Sequence, residues 1–390
     1  MNKPLDENSF ADGIVEIGAY EAPSPEKKHF LPWHRPRKQF VRENQWCKQI
    51  DLMLQDAPRS DDVLKYLGLP GVDLLDLRHF HSVICVKHNL RLRFLGFNSS
   101  ASPSSKAHVE LNISLDEVRR LDKVDTKSAC IGDNFSLIAN KNSIAFQKTH
   151  ALGPYDVINL DLCDGFSGQE PSGLNNNTYY NAVNSLLTLQ ARYKNPWLLL
   201  LTTRADRSNI DHNVLQTLLC KYNENLKRCP EFLKVSSEEF SIEAEHALKM
   251  AVDTPCGLLQ IFLTGLYKWF LSLALAQNPP TSIELRSVIG YRVNQDSEHE
   301  DLISLALRFT PTLTPTADPA GLSRLQSKAL NECKLSAKAL RRVAKRVDAD
   351  KVLADDTELN QRMTDATAKL LSLARYDVNE YEKWLEMQPR

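Results

Sequence analysis

The chain is 390 residues long with 42% apolar and 25% charged residues, enough for one large core or two modest ones, which excludes a fibrous or wholly disordered protein. Lys and Arg (48) nearly cancel Asp and Glu (49), so attraction to nucleic acid or an anionic membrane has to come from local patches. The eight cysteines form no CxxC pair and mostly sit in apolar surroundings, which predicts reduced core thiols of a cytoplasmic protein and neither a disulfide framework nor a zinc site.

Residues 1–26 carry six acids against one lysine together with the segment Glu21-Ala22-Pro23-Ser24-Pro25-Glu26, which predicts a mobile acidic tail. The start MNKPLDENSF has neither a basic nor an apolar leader region, so no secretory signal is expected. Residues 27–48 reverse the sign, with seven Lys/Arg against Glu43, interleaved with Trp33, Phe40 and Trp46. Such an arm can neutralise phosphates and stack on bases through Arg35, Arg37, Lys38 and Arg42. The alternative is that its aromatic residues anchor it on the body while the charges face water.

From Asp62 the pattern alternates. Val63–Leu67 reads as a strand, Gly68-Leu69-Pro70-Gly71 as a tight turn, Val72–Lys87 as a helix with Asp73 at its start, and Arg91–Phe97 as a second strand ending at Asn98. A βαβ unit results. A helix over Leu115–Val124 and a strand over Ser128–Ile131 follow, the strand ending in Gly132-Asp133-Asn134-Phe135. Asp156–Leu162 is a short apolar strand closed by Asp161 and Asp164. Acids at the carboxyl end of such a strand are candidates for a site, because ligands of open α/β sheets bind in the crevice beyond those ends. A helix over Thr178–Tyr193, the unbroken apolar strand Trp197–Thr203 and a helix over Asn213–Leu226 continue the alternation.

The longest apolar stretch, Gly257–Ala276, contains Lys268 and reads as a buried core helix and not a membrane span. Arg286–Val293 and Leu302–Phe309 predict an antiparallel hairpin. A linker-like stretch follows Pro311, and residues 324–346 carry eight Lys/Arg against Glu332, a basic amphipathic helix whose Arg341, Arg342 and Lys345 are candidate nucleic-acid contacts. A solvated face on a packed helix is the commoner meaning of such a pattern. Glu358–Trp384 predicts a final helix.

A parallel run of five strands closed by a hairpin resembles the core of class I S-adenosylmethionine-dependent methyltransferases, a Rossmann-like α/β fold, over roughly residues 60–310. The organisation expected is an acidic tail (1–26), a basic and aromatic arm (27–60), a Rossmann-like domain (61–311) with a mixed sheet of about seven strands, and a helical extension (320–390). The resemblance implies S-adenosylmethionine as cofactor. It places Gly68 and Gly71 in the turn that approaches the cofactor, Asn98 at the position of the acid that holds the ribose, Asp133 and Asn134 at the adenine edge with Phe135 available to stack, and Asp161 and Asp164 at the reacting group. The prolines and aromatic residue that follow the catalytic Asn or Asp of base-amine methyltransferases are absent after Asp161, which argues against that chemistry. Two readings stand: a protein that binds S-adenosylmethionine or a related nucleotide and acts on or near DNA or RNA, and a non-catalytic subunit with a degenerate methyltransferase fold whose partners are other proteins or nucleic acid. A metal-dependent hydrolase built on Asp161 and Asp164 is a weaker third, since no further acid or histidine lies close in sequence.

Overall fold

The computed structural model describes residues 28–57, 61–103, 105–162, 164–168, 177–294, 297, 299–312, 320, 322 and 329–387. The acidic tail and most of the linker after Pro311 lie outside the described residues.

Eight strands form one sheet: β1 (Val63–Gly68), β2 (Arg91–Phe97), β3 (Ala129–Ile131), β4 (Val157–Asp161), β5 (Trp197–Arg204), β6 (Thr281–Tyr291), β7 (Leu302–Pro311) and the two-residue β8 (Val347–Asp348). Their order is β3-β2-β1-β4-β5-β7-β6-β8. β1 to β5 are mutually parallel, and β7 runs antiparallel between β5 and β6. This is the Rossmann-like mixed sheet with a terminal hairpin that the sequence predicts, extended by one short strand. β8 pairs parallel with β6 through Ile289 and Gly290.

The helices, in chain order, are α1 (residues 36–56, with a π-wound stretch at Arg42–Cys47), α2 (residues 75–88, π-wound at His81–Cys85), α3 (Lys106–Arg119), α4 (Ile144–Leu152), α5 (Tyr179–Gln190), α6 (His212–Arg228), α7 (Pro230–Phe240), α8 (Glu245–Ala251), α9 (Pro255–Leu275), α10 (Glu332–Ala344), α11 (Ala349–Asp355), α12 (Thr357–Ser372) and α13 (Val378–Glu386). Side chains alternate across a strand, so each strand feeds two cores. Leu67, Leu95, Ile158, Leu160, Leu199 and Leu201 meet α5, α6 and α9 on one face. Leu64, Tyr66, Leu92, Phe94, Val157, Leu198 and Leu200 meet α1, α2 and α3 on the other. α9 has the length and composition of a membrane span but is a core helix, with Ile261, Phe262, Leu263 and Phe270 fully buried.

The basic arm is a layer of the fold and not an appendage. Val41, Trp46 and Ile50 of α1 are fully buried against the sheet. The first and last described segments clasp each other just outside it: the Tyr381 hydroxyl donates to the His34 carbonyl at 2.6 Å, and Phe30 packs on Tyr376, Tyr381 and Trp384.

Four elements differ from expectation. α3 begins at Lys106, not Leu115, because Ser105 caps it by accepting from the His108 amide at 3.0 Å. Among the described residues the basic helix spans Glu332–Ala344, capped by Asn331, and residues 324–328 of the predicted segment lie outside the described residues. The last predicted helix is two, α12 and α13, separated by a turn in which Arg375 adopts a φ of 67°. Cys229 and Cys333 form a disulfide across 104 residues, correcting the expectation of reduced thiols throughout; Cys47, Cys85, Cys130, Cys220 and Cys256 are free.

The entry to β4 depends on Gln190 of α5, whose carboxamide accepts from the Tyr155 amide at 2.8 Å and donates to the Tyr155 carbonyl at 2.7 Å, all buried. Gln190→Leu strands both backbone groups and is expected to cost about 3 kcal/mol. Urea unfolding checks this: the midpoint falls while the slope is unchanged.

Candidate functional site at the carboxyl ends of β1–β5

The sheet order reverses between β1 and β4, the switch point where open α/β sheets bind ligands. Because β3, β2, β1 and β4 are parallel, Gly68, Asn98, Asp133 and Asp161 emerge at one rim.

What each does locally differs. A Cβ on Gly68 would lie 2.5 Å from the Tyr66 hydroxyl, so this glycine is required by Tyr66, whose ring crosses it. Gly71 is exposed with open space where its Cβ would be, so no neighbouring group requires a glycine at this turn. Asn98 donates to the Pro70 carbonyl at 3.0 Å and accepts from Ser100, pinning the β1 turn to the end of β2. Asn134 is exposed and caps the following turn by accepting from the Ser136 amide at 2.8 Å. Phe135 is 3% exposed, edge-on to Phe97 within the core, so the expectation that it stacks on a ligand is corrected. Asp133 is half-buried at the rim.

Asp161 is engaged from above. By strand alternation Asn159 and Asp161 share the face that α1 covers, and the Lys38 ammonium reaches down to bridge both Asp161 oxygens at 2.5 and 2.7 Å while lying 4.6 Å from the Trp46 ring centre. Burial alone would lower the Lys38 pKa, but Asp161, Tyr291 and Asp76 outweigh it and hold the ammonium charged. Beside it Arg42 donates to Asp76 at 2.7 Å, and both side chains are nearly closed to water. Arg37 pairs with Asp350 at 3.0 Å and donates to the Arg292 carbonyl, and Arg35 is buried. Four arm cations chosen as nucleic-acid contacts therefore face inward. This corrects both earlier readings of the arm: Phe40 and Trp46 anchor it while Trp33 stays exposed, and the charges anchor it as well. Arg342 on α10 and Lys345 just past its end remain exposed, and Arg341 lies 3.9 Å from Glu231.

Asp164 belongs to a different environment. It is exposed, with the Tyr179 hydroxyl 3.5 Å away, and lines an open cleft of about 480 Å³ with Arg204, Asp206, Ser208, Asn209, Asn294, Ser297 and Asp301. The cleft continues the rim over β5 and the β6–β7 turn. Asp301 is occupied, accepting from Arg204 at 2.7 Å and from the Val293 and Asn294 amides. Asp206 is turned onto its own loop, accepting from the Ser208 hydroxyl, the Asn209 carboxamide and the Ser208 amide, which together outweigh burial and lower its pKa. Asp164 is left as the acid with the least internal commitment. Sequence reading missed Lys38 as the partner of Asp161 and missed Arg204, Asn294 and Asp301; only the position of Arg204 at the end of an apolar strand carried a signal.

A family model described as PP_RS20740-like matches residues 27–386. The chain belongs to the PP_RS20740-like family. No curated protein matches it. Among solved structures, a Listeria monocytogenes protein provisionally described as a class I S-adenosylmethionine-dependent methyltransferase is similar at 10% identity, over 81% of this chain and 73% of that one, with a TM-score of 0.34. In this PP_RS20740-like chain the family match over residues 27–386 takes in α1 and the C-terminal helices as well as the sheet.

Two outcomes follow for this family member. Lys38→Met leaves the Asp161 carboxylate without its partner under α1 and is expected to cost about 3 kcal/mol; Lys38→Met with Asp161→Asn should recover much of that, as a double-mutant cycle by chemical denaturation will show. His34 and His79 are held neutral, mainly by burial and then by Arg42, with pKa values lowered from 6.5 to about 3 and about 4. The unfolded chain takes up protons that the folded one refuses, so their contribution is complete above pH 6.5 and is lost as pH falls from there towards 4 and 3. Thermal unfolding midpoints that decline over this window, with a shallower decline in His79→Gln, are the expected result.

Proposed function

We propose that the protein binds S-adenosylmethionine or a related nucleoside at the rim formed by β1 to β4, with the Gly71 turn on one side and Asp133 on the other. The observation that carries this reading is the placement of the exposed Gly71 turn, Asn98, Asp133 and Asp161 at the rim around the switch point of a sheet ordered 3-2-1-4-5-7-6-8. Asn98 serves it by fixing the turn. Acceptor chemistry belongs to the neighbouring cleft with Asp164 as the general base, because both Asp161 oxygens are taken up by the Lys38 ammonium while that pair holds. Titration calorimetry with S-adenosylmethionine should give heat for the wild type, much weaker binding for Asp133→Ala, and near-wild-type binding for Asp164→Asn. No heat for the wild type, or equal heat for Asp133→Ala, overturns the reading.

A second reading is favoured by one observation, the sealing of Asp161 under α1 by Lys38: the sheet serves as the scaffold of a non-catalytic subunit in a larger protein or nucleic-acid assembly. Contact with DNA or RNA then falls to Arg342 on α10 and Lys345 just past its end, since the arm cations Arg35, Arg37, Lys38 and Arg42 face inward. Such binding should weaken steeply as salt rises, and Arg342→Glu with Lys345→Glu should abolish it. Salt-insensitive binding, or none, removes nucleic acid from this reading.

A further inference from the structure

Far from the rim, where the bend between α6 and α7 meets the start of α10, three potential metal ligands converge: the sulfurs of Cys229 and Cys333 and a carboxylate oxygen of Glu332, all within 4.8 Å of one another. The carboxylate is held in one orientation. Its Oε1 accepts from the Lys268 ammonium at 2.7 Å, the Ser336 hydroxyl at 2.9 Å and the Asn225 carboxamide at 3.1 Å. Its Oε2 is turned to the sulfurs, 3.9 Å from Cys229 and 4.0 Å from Cys333.

That orientation fits one oxidation state poorly. Disulfide sulfurs carry no proton and cannot donate to a carboxylate, so Oε2 gains nothing from facing them. Thiols can donate to it, and a cation placed among two thiolates and Oε2 satisfies all three. Zinc takes such ligands at about 2.3 Å from sulfur and about 2.0–2.2 Å from oxygen, a spacing this cluster reaches once the sulfurs separate.

We propose that Cys229, Cys333 and Glu332 form a redox-gated site for a thiophilic divalent cation such as zinc. A dithiol reductant breaks the sulfur–sulfur bond, delivering two electrons and two protons and becoming a disulfide itself. The cation then displaces the two thiol protons, and metal–sulfur bonds form. Two thiolates and a carboxylate exceed a divalent charge by one, and Lys268, 2.7 Å from Oε1, supplies the compensating positive charge. The fourth position is left for water. The oxidised form is metal-free and ties α10 to the α6–α7 bend covalently; the reduced form makes the same tie through the cation.

The whole chain, reduced with a dithiol, freed of metal by a chelator and desalted, is titrated with Co²⁺ and then Zn²⁺. One Co²⁺ per chain with a thiolate-to-cobalt charge-transfer band, displaced by Zn²⁺, is expected for the reduced wild type. Neither the oxidised protein nor Cys333→Ser should show the band, and Lys268→Met should weaken binding about 10- to 100-fold. A reduced wild type that takes up no Co²⁺, or takes it up without the band, overturns the proposal, as does a band that survives Cys333→Ser. Should Cys333→Ser fold poorly, alkylation of the wild type decides: Zn²⁺ should slow labelling of Cys229 and Cys333 but not of the exposed Cys220 and Cys256, and equal labelling of all four with and without Zn²⁺ refutes the site.

Discussion

The arrangement of the molecule depends on α1 lying flat across one face of the sheet, and what fixes its seat is a pair of enclosed ion pairs, Lys38 with Asp161 and Arg42 with Asp76. Apolar burial by Phe40, Val41, Trp46 and Ile50 supplies the attraction, but apolar contact is non-directional and tolerates sliding. A cation removed from water tolerates it much less, because a displaced Lys38 or Arg42 would keep the desolvation cost and lose the partner. The ion pairs therefore add a directional constraint that the apolar contacts of α1 lack. The terminal clasp at His34, Tyr376 and Tyr381 closes over the outer end of α1, and Asp73 at the start of α2 ties in Lys28 at 2.5 Å and Tyr376 at 2.8 Å.

Much of the sheet is legible in the sequence because its strands are short apolar runs with clear ends. Trp197–Thr203 can only be a strand buried on both faces, and Asp156–Leu162 and Arg91–Phe97 end in polar or glycine-bearing turns that mark the carboxyl rim. What the sequence conceals is which charges face inward. A segment with Lys or Arg every few residues and one acid carries the pattern of a solvated surface, and the acids that balance it, Asp76, Asp161 and Asp350, lie tens to hundreds of residues away. The same distance hides the pairing of Cys229 with Cys333. α3 was misplaced for a local reason: Val109 and Ile113 are exposed, so the apolar spacing that locates a helix starts only at Leu111 and Leu115.

The site is legible in position and less so in role. The acids and the glycine turn fall at the rim where the topology requires them, yet position does not say whether a polar group is free for a ligand. Asn98 is committed to the Pro70 carbonyl, Gly68 to the passage of Tyr66, and Phe135 to the core. Each keeps its place at the rim while serving the protein's own packing, the difference between a motif and a site.

This divides the rim into two halves of different character. Over β1 and β4 the polar groups are largely satisfied by the chain itself, under a helix that buries Trp46 fully and could lift only by exposing Lys38, Arg42, Asp76 and Asp161 together. Lifting would forfeit the apolar contacts of α1 at once, so a ligand at this rim binds with α1 in place, on the side of the exposed Gly71 turn and Asp133. Over β5 and the β6–β7 turn the rim is open, and its three carboxylates face one guanidinium. A phosphodiester brought there meets excess negative charge, whereas an amine or another cationic group meets attraction. If chemistry occurs at this rim, the approach with the smaller electrostatic and packing cost is therefore from the cleft towards Asp164, with Asp161 acting through its hold on Lys38 and not as a free base.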